Sequence, residues 1–135
     1  MHIRLGLAVI ALAVLATIGL CGTAEAEILA AGPVYGGPAS VGGTFTCRIF
    51  NFGAFSVVVT NRQIWSNTGV SVAPTSDTCN VALAVGKSCA YSAPIAGNLA
   101  YSCRVIVQGI EPEVSGVAEV QAPNNSILNA LPLHR

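Results

Sequence analysis

Charge is what this chain has least of: only six of its 135 residues are basic and six acidic, with no run of either sign. A nucleic-acid surface needs clustered Lys and Arg to neutralise phosphates, so no nucleic-acid partner is expected. Histidine is almost absent as well. His134, next to last in a tail expected to fray, is the one imidazole beyond the N-terminal segment, which leaves no base for a Ser-His-Asp arrangement. Glu111 and Glu113 flank Pro112 and read as a solvated loop. Asp77, between Ser76 and Thr78, reads as a turn former. No glycine-rich loop follows a strand and opens a helix, so nucleotide motifs fail on context. The sequence therefore predicts no catalytic residue, no metal and no cofactor: a non-enzymatic protein. Sustained helical periodicity is also missing after residue 26, and no long internal repeat is present.

What is there begins with an address. His2 and Arg4 make a short basic start, and "LGLAVIALAVLATIGL" (Leu5–Leu20) is uncharged and apolar. "AEA" (Ala24–Ala26) supplies the small residues of a cleavage site. The apolar run is short of the ~20 residues a crossing helix needs, so residues 1–26 are expected to be a helical signal peptide. The membrane is then met only through that segment before cleavage. Cys21 follows Leu20, too bulky for a lipoprotein site, and leaves with the signal. Cleavage near Ala26 predicts a secreted or periplasmic protein.

Residues 27–43 contain "AAGPVYGGPASVGG" (Ala30–Gly43), too dense in Gly and Pro for a helix. They read as an extended leader, lying along an edge. Residues 44–135 then carry short β runs between turn signals: "TFTCRIF", "FSVVVT", "RQIWS", "VSVA", "NVALA", "SCAYSA", "LAYSCRVIVQ", "GVAEVQ" and "SILNAL". "APNN" (Ala122–Asn125) reads as a hairpin turn. The pattern predicts an all-β fold, an antiparallel β-sandwich of about seven or eight strands.

Four cysteines follow the signal: Cys47, Cys79, Cys89 and Cys103. An even number in a small exported domain reads as disulfides. Zinc ligands usually pair two to four residues apart, closer than Cys79 and Cys89. Strand alternation puts Cys47 and Cys103 on the inward faces of their strands, one early and one late, where they can bridge two sheets. Cys79 and Cys89 flank the "VGK" turn and can meet locally. Of the three pairings that four cysteines allow, Cys47–Cys103 with Cys79–Cys89 is the expected one.

Tyr101 stands two residues before Cys103, the spacing of the tyrosine corner in immunoglobulin-like domains. An ordinary half-buried strand tyrosine fits equally well. Trp65 competes with Ile64 for the inward position and is left unassigned. Arg48 and Arg104, each beside an inward cysteine, should point outward. Together with Lys87, the chain's single lysine, they are either solvated surface residues or a recognition surface for a carbohydrate or an anionic partner.

"NFGAFSVVVTNRQI" followed by "SDTCNVALAVGKSC" resembles bacterial members of the abnormal-spindle/hydin type of immunoglobulin-like module. Those show an N-x-G turn between early strands, then Cys, Leu, Gly and Ser-Cys in that order. The matching residues are Asn51, Gly53, Cys79, Leu83, Gly86, Ser88 and Cys89. The chain is also similar to short, uncharacterised exported bacterial proteins of the same layout. The resemblance runs from about Cys47 to Val107, and "YSAPIAGN" is looser than the aromatic-x-Pro step and Gly usual there. It implies an immunoglobulin-like antiparallel β-sandwich and no particular activity. The expectation is an envelope module acting on a protein or glycan partner or as a structural component. Its rivals are an assembly subunit that adds "GPVYGGPASVGG" or the C-terminal strand to a neighbour's sheet edge, and a small exported inhibitor.

Overall fold

In Tyr101–Ile110 the side chains of Tyr101, Cys103, Val105 and Val107 are buried, while Arg104 and Gln108 stay exposed. That period of two is what a strand packed on one face produces. The computed structural model describes residues 24–110 and 112–135. The predicted signal helix therefore lies outside the described residues, apart from Ala24–Ala26, which open a strand.

Nine strands are described: β1 (Ala24–Val34), β2 (Thr44–Asn51), β3 (Val58–Ser66), β4 (Ser71–Val72), β5 (Ser76–Asp77), β6 (Ser88–Pro94), β7 (Tyr101–Ile110), β8 (Val114–Gln121) and β9 (Ile127–Pro132). They form two antiparallel sheets, ordered β1-β7-β3-β4 and β5-β6-β2-β8-β9. No α-helix occurs among the described residues; Pro38–Ser40 is a single 3-10 turn. The all-β expectation therefore holds, in a sandwich-like pair of layers. The core fills from both: Leu29, Val34, Val59, Ile64 and Val105 from the four-stranded sheet, Phe45, Ile49, Tyr91, Ala93 and Val120 from the other.

The strand count differs from seven or eight for local reasons. "FSVVVT" and "RQIWS" merge into β3, whose ladder to β7 shifts between Val59 and Asn61. "NVALA" is a loop, joined to Val57 by one bridge at Leu83. Residues 27–43 begin inside β1, which pairs with β7 from Ala24↔Ile110 to Val34↔Tyr101. That ladder breaks between Ala31 and Val34, around Pro33, which has no N–H to donate. Gly32 also takes φ +119°, and a Cβ there would stand 2.8 Å from the Ser102 Cα. A cut after Ala26 leaves Leu29, Ala31 and Val34 in the core. "APNN" turns the chain from β8 to β9, with the Asn125 N–H donating to the Ala122 carbonyl at 2.9 Å.

Both open sides of the layers are closed by polar ties. At one side Arg62 of β3 pairs with Asp77 of β5 at 2.7 Å. Arg62 also donates to the carbonyls of Val59 and Cys79. At the other side the C-terminus crosses to β1. His134 exchanges two backbone bonds with Ala30, each 2.9 Å, and Arg135 pairs with Glu27. The tail expected to fray is thus hydrogen-bonded, because Leu133 is buried and anchors it. The expected disulfides form: Cys47–Cys103 joins β2 to β7 across the layers, and Cys79–Cys89 closes the short loop.

Candidate binding site

The structure separates the three cations that the sequence put forward. Arg48 lies on the outer face of the five-stranded sheet, 3.8 Å from Glu119. Arg104 lies on the outer face of the four-stranded sheet. Lys87 lies at the loop end of the molecule, where its carbonyl accepts the Asn51 N–H. They do not form one surface.

The loop end is organised by Asn51, which is fully buried. Its side-chain amide donates to the carbonyls of Phe55 (2.8 Å) and Leu83 (2.9 Å), and its Oδ1 accepts the Gly53 N–H. Its backbone bonds Lys87 and Gly86. Gly86 has φ +70°, a left-handed turn position that a side chain would strain. The polar atoms of Asn51 are thus spent on holding the loops together. Phe52, Phe55, Val81 and Val85 are exposed around them.

Tyr101 is buried, and its hydroxyl donates to the Ala96 carbonyl (3.2 Å) and accepts the Ala96 N–H (2.9 Å). Its ring stacks on Phe45, with centroids 5.5 Å apart. Tyr91 reaches from β6 to donate to the Arg104 carbonyl at 3.0 Å. Burial pushes the Tyr91 hydroxyl well above its ordinary value; nearby Arg62 opposes this and Asp77 adds to it.

Two clefts remain. The larger, about 510 Å³, contains Glu25, Glu27 and Glu113, and its cation, Arg135, is engaged by Glu27. The smaller, about 450 Å³, is lined by Trp65, Ser102 and Arg104 of the four-stranded sheet together with Leu131, Pro132 and His134 at the β9 end. Arg104 donates to the Gln63 Oε1 at 3.2 Å. Among the described residues no carboxylate comes within ion-pair distance of it.

Trp65 is the residue that sequence reasoning left unassigned, and the β3 bulge decides it. Before the bulge the odd-numbered Val57 and Val59 face inward; after it the even-numbered Ile64 and Ser66 do. An extra residue in one strand reverses the phase of everything beyond it. Trp65 is thereby turned outward, 37% exposed. Its neighbour across the ladder is Ser102, and Gln63 stands opposite Arg104. No group of three or more His, Cys, Asp or Glu able to hold a metal comes together among the described residues. Comparison with protein-family models, curated proteins and solved structures returned no match for this chain.

Proposed function

We propose that this chain is an exported, non-enzymatic immunoglobulin-like module, akin to the abnormal-spindle/hydin type, that acts by binding a glycan or protein of the cell envelope. Two disulfides fit an oxidising compartment outside the cytoplasm. The immunoglobulin-like reading draws support from β5, β6 and β2 lying side by side opposite β7, β3 and β4, and from an inter-sheet disulfide. The Tyr101–Ala96 bonds fit a tyrosine corner. The first strand and the last two depart from that order: β1 stands beside β7, and β8 and β9 extend the other sheet beyond β2.

The observation that carries the binding reading is that Trp65 and Arg104 line one open cleft while Arg104 has no carboxylate partner among the described residues. Trp65 is the only tryptophan, so its emission reports on that face alone. Mature protein titrated with fractionated envelope polysaccharides and solubilised envelope proteins should show a saturable change in Trp65 emission with at least one fraction. Arg104→Gln should weaken that change and Arg48→Gln should not. Silence across all fractions would overturn the binding reading.

A second reading, an assembly subunit formed by strand addition, is favoured by β9. This edge strand is exposed throughout and carries Ile127, Leu128 and Leu131, the kind of edge that pairs with another chain. Removing residues 30–43 would take Ala31 and Val34 from the core, so the test belongs on β9. Oligomers that grow with concentration and vanish in Leu128→Lys support this reading; a monomer at every concentration sinks it.

A further inference from the structure

We infer that the Trp65–Arg104 cleft takes an acidic sugar, a short oligosaccharide bearing uronate carboxylates; this rests on the binding reading above and names its ligand class. The cleft's volume, about 450 Å³, falls in the range of small-ligand sites. Its chemistry has two halves that few ligands use together.

The first half is flat and apolar. Trp65 offers an aromatic face, a large contact surface at low entropy cost. Beside it the cleft is lined largely by small residues, among them Ala30, Gly32 and Ser102. Gly32 admits no side chain, because a Cβ would meet the Ser102 Cα and Oγ at 2.8 Å. A larger residue there would close the space beside the indole. A pyranose ring, with its apolar C–H face, fits such a slot.

The second half is a positioned cation. Gln63 accepts one N–H of Arg104, which ties the guanidinium to β3, and among the described residues no carboxylate pairs with it. A guanidinium matches a carboxylate with paired bonds that a point charge cannot copy. Ser102, opposite Trp65 in the ladder and two residues before Arg104, lines the same cleft and adds a hydroxyl for those of a sugar. A bare anion would leave Trp65 unused, and a neutral sugar would leave Arg104 unpaired. A phosphate site ordinarily adds a nest of backbone N–H groups or a helix terminus. None lines this cleft among the described residues.

The test uses mature, oxidised protein and three probes: trigalacturonate, its neutral counterpart galactotriose, and an acidic peptide of equal charge. Trp65 emission is read for the Trp-containing proteins, and calorimetry for Trp65→Ala. The inference expects saturable binding of trigalacturonate that is weakened about tenfold or more by Arg104→Gln. Binding should be lost in Trp65→Ala, retained in Arg48→Gln, and weaker at high salt. Circular dichroism establishes that each variant is folded. Equal binding of galactotriose, or an unchanged Arg104→Gln, overturns the acidic-sugar class while leaving the binding face standing. Binding of the peptide alone overturns it in favour of a protein ligand. If none of the three probes binds but an envelope fraction shifts Trp65, the ligand class fails and the face does not; if no fraction does either, both fail.

Discussion

The side-chain amide of Asn51 donates to the Leu83 carbonyl at 2.9 Å, joining the end of β2 to a loop thirty-two residues further along the chain. The same amide holds Phe55, and the same residue's oxygen holds Gly53. Asn51→Ala removes these bonds and leaves a void in a fully buried place. The Phe55 carbonyl then loses its partner, whereas the Leu83 carbonyl keeps the Val57 N–H. The expected loss is about 2–3 kcal/mol, read from urea midpoints. A change within about 0.5 kcal/mol would show that the loops hold without it.

The two disulfides should differ in what they contribute. Cys47–Cys103 closes a separation of 56 residues and Cys79–Cys89 one of 10. Constraint of the unfolded chain gives about 4 kcal/mol for the long loop and about 3 kcal/mol for the short one. Replacing the first pair by alanines also opens a gap between the layers, so its loss should be the greater. Paired unfolding curves of the two double variants settle the order, and a larger loss in the Cys79, Cys89 variant would contradict it.

Alkaline stability should turn on Tyr91. Its ordinary value is 10.0 and burial raises it in the folded state, so the unfolded chain ionises first. Its contribution is therefore complete below about pH 10 and falls as pH rises through that value. Tyr91→Phe loses the bond to the Arg104 carbonyl, costing about 1 kcal/mol at neutral pH. The variant should also show a flatter alkaline decline in equilibrium unfolding across a pH series. An equally steep decline in Tyr91→Phe assigns the effect to other groups.

The C-terminal clamp makes a local prediction. Removing His134 and Arg135 takes away both Ala30 backbone bonds and the cation beside Glu27. The Glu27 carboxylate, 11% exposed, is then left without its partner. Amide exchange should accelerate along β1 by about tenfold or more, with β2 and β6 unchanged. Uniform acceleration over both sheets would mean that the clamp supports the whole fold and not one strand.

Much of the fold was legible in the order of residues. Tyr101, Cys103, Val105 and Val107 alternate inward, as do Phe45, Cys47 and Ile49, and that alternation made the disulfide pairing arguable. β1 was harder to see. Leu29, Ala31 and Val34 lie among glycines and prolines, and the break at Gly32–Pro33 spoils the period that would have revealed them. The candidate site was half legible. Arg104 was placed outward by the cysteine beside it. Trp65 could not be placed, since a bulge leaves no mark in a run such as "VVVTNRQIW".

The sequence by itself determined that the part of the chain after the signal segment is built of strands, which side chains face inward along most of them, and which cysteines can meet. These follow from the backbone's period of two and from spacing along the chain, both local properties. Only the tertiary structure decided which strands are neighbours: β1 beside β7, Arg48 and Arg104 on opposite faces, the tail clamped to Ala30. It also fixed where the β3 ladder slips, and so which way Trp65 points. Such choices are made by pairings between distant segments, whose backbone bonds look alike from the sequence and are selected only when two layers close over one core.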